Sequence, residues 1–476
     1  MEVPRPDGGH VGIIDGVRAR ISDLFRRFFA RVHIRIVADA LLGLIVGAVL
    51  AFVIGGALVG VQALAMQTTV NGWTTVRQCG QPTSNILLKA ACARDWPAVN
   101  VPAEAAYWTT TVDSTGQALS GKNDYVLHFP PGDLPPNDAF WSLTMTDARK
   151  RLVANPADRY AVGDRSGLVS NADGSLDIYL QAASPAGHES NWLPTPAGDF
   201  MLWLRAYQPG AAILDGEYTV PAVKEANTGE AAGNAPGAGE GRVPWFRILL
   251  VLVVVAIIVA YIVYRRRRSA SADLGRRRRG HPHLITFGAF AILAWVTGTV
   301  AFIYVYPSLI YNVWEKSIVT HGLDAGSRSG IPINTLYAVP ELASPSPSNS
   351  ALLTTGANVD TLYVAGWLDL GKEPQVLHVP DTAGRYYTVE FIDPRDGTVF
   401  DYVGRRVTGT SAGDFLITGP GWRGTVPSGT TQLSSPNNSV GVIGRVLVEN
   451  AGDLGTAYDL AKQIRLTPLD RWQAGR

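Results

Sequence analysis

Long apolar stretches without charged residues occur three times along the chain. Residues 40–66 and 284–311 carry no charge, and residues 248–264 form a shorter apolar run. A helix needs about 20 apolar residues to cross the hydrocarbon core of a bilayer. The shorter run reaches that length when residues 243–246 are added and Arg247 extends its charge to the interface. The pattern predicts three transmembrane helices, at 37–66, 243–264 and 284–311.

Arginine clusters next to these stretches predict their orientation. Six arginines lie between positions 18 and 35, and two runs of four occupy 265–268 and 276–279. Because basic flanks stay in the cytoplasm, the N-terminal segment 1–36 and the loop 265–283 are expected there. The polar segments 67–226 and 312–476 are then extracytoplasmic, and the Gly- and Ala-rich residues 227–242 form a flexible tether. The chain is predicted to be a multi-pass protein of the cytoplasmic (inner) membrane.

The N-terminal segment also has an amphipathic pattern. In residues 17–37, apolar side chains fall near one helical face and basic side chains occupy much of the rest. This pattern fits a helix lying on an anionic inner leaflet, or a continuation of the first span into the cytoplasm. The apolar run is too long, and lies too far from the N-terminus, for a cleaved signal peptide.

Short strands separated by turns predict the two polar segments to be mainly β. Alternating or apolar runs occupy 125–129, 140–145, 176–181 and 200–207 in the first segment. The second segment has runs at 361–367, 375–379, 386–392, 398–403, 415–418 and 440–448, with a helix at 454–465. Residues 71–98 are expected to be a loop or a short helix. This texture predicts two extracytoplasmic β-sandwich or jelly-roll domains beside the three transmembrane helices.

Composition and cysteine content narrow the class further. A length of 476 residues allows two ordinary domains beside the spans, and a net charge of +1 hides the basic bias of the cytoplasmic segments. Since both arginine clusters adjoin spans, they indicate topology, and no nucleic-acid partner is expected. Cys79 and Cys92 either form a disulfide outside the cytoplasm or remain two buried thiols. No CxxC or cysteine–histidine cluster occurs, so no metal or cofactor is expected.

Several ordered motifs resemble known families. FWSLTMTD at 140–147, NPADRYAVGDR at 155–165, NADGSLDIYLQ at 171–181 and ESNWLP at 189–194 resemble the family called domain of unknown function 1214. NVDTLYVAGWLDL at 358–370, PDTAGRYYTVEFID at 380–393 and the motif at 404–427 resemble domain of unknown function 1254. The resemblances cover about 103–223 and 333–469. They imply β-rich domains that pack together, without a settled reaction.

The domain order differs from the form in which these two families are often joined. In that soluble form the 1254 domain comes first, and each family also occurs as a small protein with one N-terminal span. Here the order is reversed and a membrane hairpin separates the halves. The chain therefore looks like a fusion of the two small anchored proteins.

Polar and aromatic candidates for ligand binding cluster in the second domain. Asn358, Asp360, Tyr363, Trp367 and Asp369 lie within twelve residues, and on a strand Tyr363 and Trp367 share one face. Two such rings stack on a sugar or another flat ligand, or else they are core aromatics of a sandwich. The arginines of this domain either bind a carboxylate or phosphate or pair with local aspartates; they are Arg385, Arg405, Arg406 and Arg445.

The first domain offers two polar loops. Arg159 and Asp164 precede one loop, while His188, Asn191 and Trp192 lie in the other. His188 and its neighbour Glu189 suit acid–base chemistry, although adjacent side chains in an extended loop usually point apart. Asn191 and Trp192 alternatively form a packing corner. Carboxylates that meet in space would suit glycoside hydrolysis; the candidates are Asp147, Asp164, Asp360 and Asp369.

Two functions fit this pattern. The first is an envelope protein that binds an envelope ligand, such as a polysaccharide, near the inter-domain surface. It would also process this ligand if suitable carboxylates meet. The second is a non-catalytic envelope scaffold or assembly protein. The first predicts a polar cavity where Asp360, Trp367, Arg405 and the loop 188–192 converge. The second predicts these residues in buried, satisfied pairs, with a broad exposed apolar patch elsewhere. No GxSxG, HExxH, P-loop or dinucleotide motif occurs, so whether the protein is an enzyme stays open.

Overall fold

A computed structural model describes residues 9–226, 282–345 and 358–474. The predicted tether, the predicted middle span and nearly all of the arginine-rich loop lie outside the described residues. The helices in the described ranges are α1 (Gly9–Ala65), α2 (Ile86–Asp95), α3 (Ala211–Asp215), α4 (Pro282–His321), α5 (Leu454–Gln463) and α6 (Leu469–Ala474).

The strands fall into two groups, one that precedes α4 in the sequence and one that follows it. The first group is β1 (Thr68–Val70), β2 (Trp73–Thr75), β3 (Ala105–Thr110), β4 (Tyr125–Phe129), β5 (Asn137–Asp147), β6 (Ala161–Gly163), β7 (Leu176–Gln181), β8 (Trp192–Pro194), β9 (Phe200–Pro209) and β10 (Val223–Glu225). The second is β11 (Thr335–Ala338), β12 (Thr361–Asp369), β13 (Gln375–Val379), β14 (Tyr387–Asp393), β15 (Thr398–Gly404), β16 (Gly413–Thr418), β17 (Thr430–Ser434), β18 (Ser439–Leu447) and β19 (Arg465–Pro468).

The chain divides into two compact units. One contains residues 1–58 and 242–304, and the other contains 59–241 and 305–476. The long helices α1 and α4 each contribute to both units. Two segments, Ile36–Ala65 and Leu284–His321, are long and apolar enough to cross a membrane, by length and composition alone.

Small residues bring the two long helices together within the first unit. Gly43 and Gly47 leave so little room that an added Cβ would lie 2.5 Å from the carbonyl oxygen of Phe287 and 2.4 Å from that of Ala291. Further along, the rings of Phe52 and Phe302 meet edge to face at 5.2 Å. Small residues at every fourth position permit this close approach of the two helix backbones.

The first β domain is two sheets around one core. A six-stranded antiparallel sheet has the order β1-β2-β3-β9-β5-β6, and a four-stranded sheet has the order β10-β4-β7-β8. Leu127 of β4, Ile178 of β7 and Leu204 of β9 are fully buried between them. Strand β7 alternates buried and half-buried positions, as expected of a strand with one face to the core.

The second β domain repeats this architecture. A five-stranded antiparallel sheet, β11-β12-β18-β14-β15, packs on a four-stranded sheet, β17-β16-β13-β19. Val364 of β12, Leu377 of β13 and Val446 of β18 lie in the shared core, which α5 closes with Ala457 and Ala461. In each domain one pair of strands is parallel, β7 with β8 and β16 with β17.

The outer faces of the two larger sheets contact each other. Phe140 of β5 and Tyr207 of β9 stack at 4.2 Å, and Tyr386 meets both rings at 5.4 Å. Strand β9 is therefore buried on both faces along most of its length. The end of α4 covers the same face of the second domain through Tyr311 and Ile318, and Leu323 just after the helix packs there as well.

Much of the sequence prediction is confirmed. The mainly β character is confirmed by four sheets, and the predicted strands at 125–129, 176–181 and 375–379 have the same bounds in the structure. The segment 71–98 contains the ten-residue helix α2, which Asn85 caps by accepting from the amides of Leu87 and Leu88. The disulfide between Cys79 and Cys92 is confirmed.

The two long helices extend beyond the predicted spans. Helix α1 is continuous from Gly9, which corresponds to the continuation alternative for the N-terminal segment. Helix α4 continues ten residues past the predicted end at 311, to His321. It does so because Ile318 and the following Leu323 are buried against the second β domain, so tertiary packing sustains helix beyond the apolar run.

Candidate ligand-binding site

Asp360 lies in the contact between the two β domains. Its carboxylate accepts from Oγ of Ser142 at 2.6 Å and from Nη2 of Arg165 at 2.8 Å. Arg165 also donates to the carbonyl of Val448 and lies over the Phe140 ring at 4.3 Å. Asp360 is buried, and both of its carboxylate oxygens accept from residues of the first domain, so these contacts join the two domains.

The predicted arginine candidates also have protein partners. Arg405 donates to the carbonyl of Asp138 at 2.9 Å, and Arg406 pairs with Glu104 at 2.7 Å across the domain contact. Arg385 forms a bidentate pair with Asp453 inside the second domain. These three arginines therefore fasten loops and domains to one another.

Trp367 and Asp369 lie at the far end of β12. The Trp367 ring is buried and its Nε1 donates to Oγ of Ser439 at 2.7 Å. Asp369 is half-exposed, lies 3.5 Å from Lys372, and accepts from the amide of Gly371. Trp367 shares one sheet face with Tyr363, as the two-residue period predicts, and both belong to the core cluster against α4.

The polar loops of the first domain form a corner away from Asp360. Arg159 donates to the carbonyls of Glu189 and Trp192, at 2.7 and 2.9 Å. Asn191 bonds the backbone of Val169 and Asp177, the Trp192 indole donates to the carbonyl of Gln181, and the exposed His188 ring lies 4.7 Å from that of Tyr179. Asn191 and Trp192 therefore form the packing corner that the sequence allowed.

Asp164 lies close to the inter-domain pair. It accepts from the amide of Trp141 at 3.1 Å and is 3.6 Å from Arg165. Burial raises the pKa of Asp164 to about 6, with the nearby Asp360 acting in the same direction. The group is a titratable element of the domain contact.

A cavity of about 500 Å³ opens beside this contact. Both β domains, the segment after α2 and the end of α4 form its wall. Among the predicted site residues, Asn358 and Tyr363 line it. The aromatic residues of the lining are Trp96, Tyr107, Trp203, Tyr207, Trp314 and Tyr363, and the cationic ones are Arg94, Lys150, Arg205 and Arg445.

Strand periodicity places these side chains. On β9, Trp203, Arg205 and Tyr207 alternate with the core residues Leu202, Leu204 and Ala206. The three therefore share the face that looks toward the second domain. On the opposing sheet, Tyr363 of β12 and Arg445 of β18 are direct cross-strand partners, and the Arg445 guanidinium lies 5.8 Å from the Tyr363 ring.

Arg445 is held by a buried network behind the cavity. It lies 3.1 Å from Glu390 and donates to Oδ1 of Asn100 and to the carbonyl of Ala98. Burial raises the pKa of Glu390, while the Arg445 charge opposes that change. Burial alone would lower the pKa of Arg445, yet that pKa is raised well above its usual value by Glu390 and nearby tyrosines. The cation is thus fixed in place and charged.

Lys150 and Arg205 surround the Trp203 ring. Their charged groups lie 5.7 and 5.4 Å from its centroid, and Arg205 donates to Oγ1 of Thr144 at 2.8 Å. Among the described residues no carboxylate pairs with Lys150. Burial raises the pKa of both Tyr107 and Tyr207, so both phenols stay neutral. The lining therefore has more cationic than anionic side chains, although Arg94 and Arg445 are paired with Asp95 and Glu390.

The carboxylates do not form a hydrolytic pair in this cavity. Asp95 is the single carboxylate among the lining residues, and it lies 3.3 Å from Arg94. Asp147 forms an ion pair with Arg151 at 2.9 Å on the surface, and Asp164, Asp360 and Asp369 lie elsewhere. Carboxylate catalysis at a sugar needs two such groups flanking the bond. The lining is therefore suited to hold an anion and a flat ring.

Most of this lining escaped the sequence prediction. Trp96, Tyr107, Lys150, Trp203 and Trp314 were not singled out, because the cavity exists only where the two domains and α4 meet. One local signal was available: FMLWLRAY at 200–207 alternates aliphatic residues with Trp203, Arg205 and Tyr207. A strand with a polar-aromatic second face needs a partner for that face.

Fold and site together define the class: a chain of two β domains that enclose a cationic, aromatic cavity, connected to two long apolar helices. Residues 104–211 match the family model described as protein of unknown function (DUF1214), and residues 333–468 match protein of unknown function (DUF1254). The two halves of the chain therefore belong to these families, in that order, which confirms both sequence resemblances.

Two solved structures resemble this chain only weakly. The VPA0106 protein from Vibrio parahaemolyticus is 28% identical over 31% of this chain, with a TM-score of 0.27. The match covers 39% of that protein's length. A putative uncharacterized protein from Burkholderia cenocepacia is 13% identical over 87% of this chain and 92% of its own, with a TM-score of 0.39. No curated protein matches the chain.

Proposed function

We propose that this chain is a membrane-anchored envelope protein that binds an acidic, saccharide-like ligand in the cavity between its two β domains. The observation that carries the proposal is the lining of that cavity: six aromatic rings and four cationic side chains against one carboxylate. Guanidinium and ammonium groups bind carboxylate or phosphate, and aromatic faces stack on sugar rings. A volume of about 500 Å³ lies within the range of about 300–1,000 Å³ that is usual for small-molecule pockets.

Chain direction supports the proposed topology of three spans with both β domains outside. Helix α1 ends three residues before β1, and α4 leads into the second β domain, so both helices enter the β region at their C-terminal ends. The two β domains belong to one compact unit, which favours the same side of the membrane for both. We propose that the chain crosses back between residues 226 and 282, because the apolar run 243–264 in the sequence is long enough for that crossing.

The side of the membrane that we propose for the β domains is inferred from the arginine clusters and from the disulfide. The arginine clusters flank the ends opposite to the β domains, as the positive-inside rule requires of cytoplasmic segments. A disulfide such as that between Cys79 and Cys92 persists mainly in oxidising compartments. We therefore propose the extracytoplasmic side for both domains. Alkylation of single cysteines introduced at exposed Lys122 and in the loop 265–283 tests this: in intact cells an impermeant maleimide should label the first and spare the second.

The scaffold alternative is favoured by one group of contacts. Asp360 and Arg405 are engaged across the domain contact, as that alternative predicts, and Arg406 pairs with Glu104 there as well. These contacts explain how the domains hold together, but they do not account for Lys150, which lines the cavity and has no carboxylate partner among the described residues. Binding in the cavity accounts for both features, so it is the function that we propose.

Equilibrium binding to the full chain in phosphatidylcholine nanodiscs tests the proposal. The probe is a fluorescent oligosaccharide of glucuronic acid, and a neutral glucose oligosaccharide of equal length is the comparison. Lys150→Gln removes a cation of the lining without touching the Arg445 network. We expect it to raise the Kd for the acidic probe at least about tenfold, since one charge-assisted hydrogen bond contributes about 1.5–3 kcal/mol.

Lys122→Gln is the matched control, because Lys122 is an exposed lysine of the same domain that is not in the lining. It should leave the Kd unchanged. Equal affinity for the acidic and neutral probes, or equal effects of the two lysine variants, would contradict the proposal.

A further inference from the structure

The cavity has an apolar approach along one face of α4. Val305, Leu309 and Val313 follow one another at intervals of four residues, which places them on the same helical face. Their exposed fractions are 41%, 51% and 66%. Val313 also lines the cavity, and Ser317, one turn further along the same face, lines it too. We call Val305, Leu309 and Val313 the apolar track.

The track begins inside the apolar run and ends at the cationic lining. Residues 284–311 carry no charge, and Val313 lies only two residues beyond that run. From Val305 to Val313 the helix rises about 12 Å, a length that accommodates several carbons of an extended hydrocarbon chain. An apolar chain lying on the track would place its head group among Lys150, Arg205 and Trp314.

A second exposed face of α4 provides the comparison. Val296, Val300 and Tyr304 also follow at intervals of four and are exposed. This face continues into Ser308 and Asn312, which line a separate, polar groove with Glu315. Thus of these two exposed apolar faces, the track is the one that leads to a cationic and aromatic cavity.

We infer that the ligand is an anionic amphiphile: an acidic head group with a polyhydroxylated ring binds in the cavity, and its hydrocarbon chain lies on the apolar track. This inference rests on the proposed function and deepens it, because it specifies that the acidic head group is attached to a hydrocarbon chain. The cations bind the acidic group and the aromatic rings bind the sugar-like ring. Burial of the chain against Val305, Leu309 and Val313 supplies affinity that a free head group lacks.

Competition within one nanodisc tests the inference. The full chain is reconstituted in phosphatidylcholine discs, alone or with a minority of phosphatidylinositol, whose head group joins a phosphate to a polyhydroxylated ring. The fluorescent glucuronic acid oligosaccharide reports occupancy of the cavity. Because a lipid in the same disc has a high effective concentration, phosphatidylinositol should raise the apparent Kd of the probe about tenfold. Phosphatidylserine at equal charge should not, and free glycerophosphoinositol should need a far higher concentration.

Substitutions on α4 show where the hydrocarbon chain of the ligand lies. Val305→Ser with Leu309→Ser, neither of which lines the cavity, should abolish competition by phosphatidylinositol and leave the Kd of the soluble probe unchanged, which also shows that the variant is folded. Val300→Ser with Tyr304→Ser, on the comparison face, should retain the competition.

The possible outcomes separate the two proposals. If the probe binds but phosphatidylinositol competes no better than phosphatidylserine, or if both double variants behave alike, the amphiphile inference is wrong and the proposed function stands. If the soluble probe does not bind wild-type protein at all, the proposed function fails and the inference fails with it.

Discussion

Removing Arg445 should destabilise the protein strongly, because its partner is buried. Glu390 is fully buried and lies 3.1 Å from the guanidinium, and Tyr402 donates to its other oxygen at 3.2 Å. Arg445→Met leaves that carboxylate with no cation. Breaking a buried pair from one side costs about 3–5 kcal/mol, a large part of a typical stability of about 5–15 kcal/mol.

The expected shift in melting temperature follows from domain size. For domains of about 150–250 residues, 1 kcal/mol corresponds to about 2–4 °C, so Arg445→Met should lower Tm by about 6–20 °C. Near-ultraviolet circular dichroism of the detergent-solubilised protein measures this. Replacing both partners, Glu390→Met with Arg445→Met, should recover most of the loss, since an apolar pair of similar volume is often neutral.

The loss of stability in Arg445→Met should also depend on pH. Burial holds the pKa of Glu390 above its usual value, and Arg445 opposes that change; removing Arg445 therefore raises the pKa further. Between the unfolded and folded pKa values the native state holds a proton that the unfolded state has lost, so stability falls as pH rises through that window. The Tm deficit of Arg445→Met should be smaller at acidic than at neutral pH. A single variant within about 2 °C of wild type, or a double variant as unstable as the single, would refute this reasoning.

Three further outcomes are expected. Cys79→Ser with Cys92→Ser should cost about 3 kcal/mol, because a short closed loop is released; only the wild-type Tm should then fall with reductant, and a reductant-insensitive wild type would contradict the disulfide. Asp164→Asn should flatten the dependence of Tm on pH between about 4 and 6. The pKa of Asp164 is raised to about 6 in the folded protein, so this carboxyl makes the native state less stable as pH rises through that window. An unchanged slope would refute the assignment. Asp360→Ala should cost about 3 kcal/mol and speed limited proteolysis at the domain contact, because Arg165 loses its buried partner, whereas Asp369→Ala, at a half-exposed pair with Lys372, should change neither.

Local patterns predicted the strands well because each β domain has a clear inside. Strand β7, LDIYLQ, alternates strictly, and the prediction matched its bounds. The helix at 454–465 was also predictable, since Ala457 and Ala461 pack on the core at helical spacing. In such segments the period of burial is a property of a few neighbouring residues.

The site was harder to predict because it depends on contacts between distant segments. Asp360 is a plausible ligand contact by its motif, but its partner Arg165 lies 195 residues away along the chain. Lys150 and Trp314 carry no local signal that joins them. Nothing in the local pattern indicates that residues 94–99 lie against both β9 and α4, although their side chains line the cavity. Asn358 and Tyr363 were singled out from their motif, and they line the cavity because β12 and the residues just before it border the cavity.

The central claim is that an acidic ligand binds between the two β domains, and photo-crosslinking tests it most directly. A glucuronic acid oligosaccharide carrying a diazirine is irradiated with the full chain in nanodiscs, and the labelled peptides are identified by mass spectrometry. The account predicts labels in residues 94–99, 203–207 and 313–318, competed by unlabelled acidic oligosaccharide and weakened in Lys150→Gln. Labels concentrated instead in the corner at 188–192, or spread over the surface without competition, would contradict it.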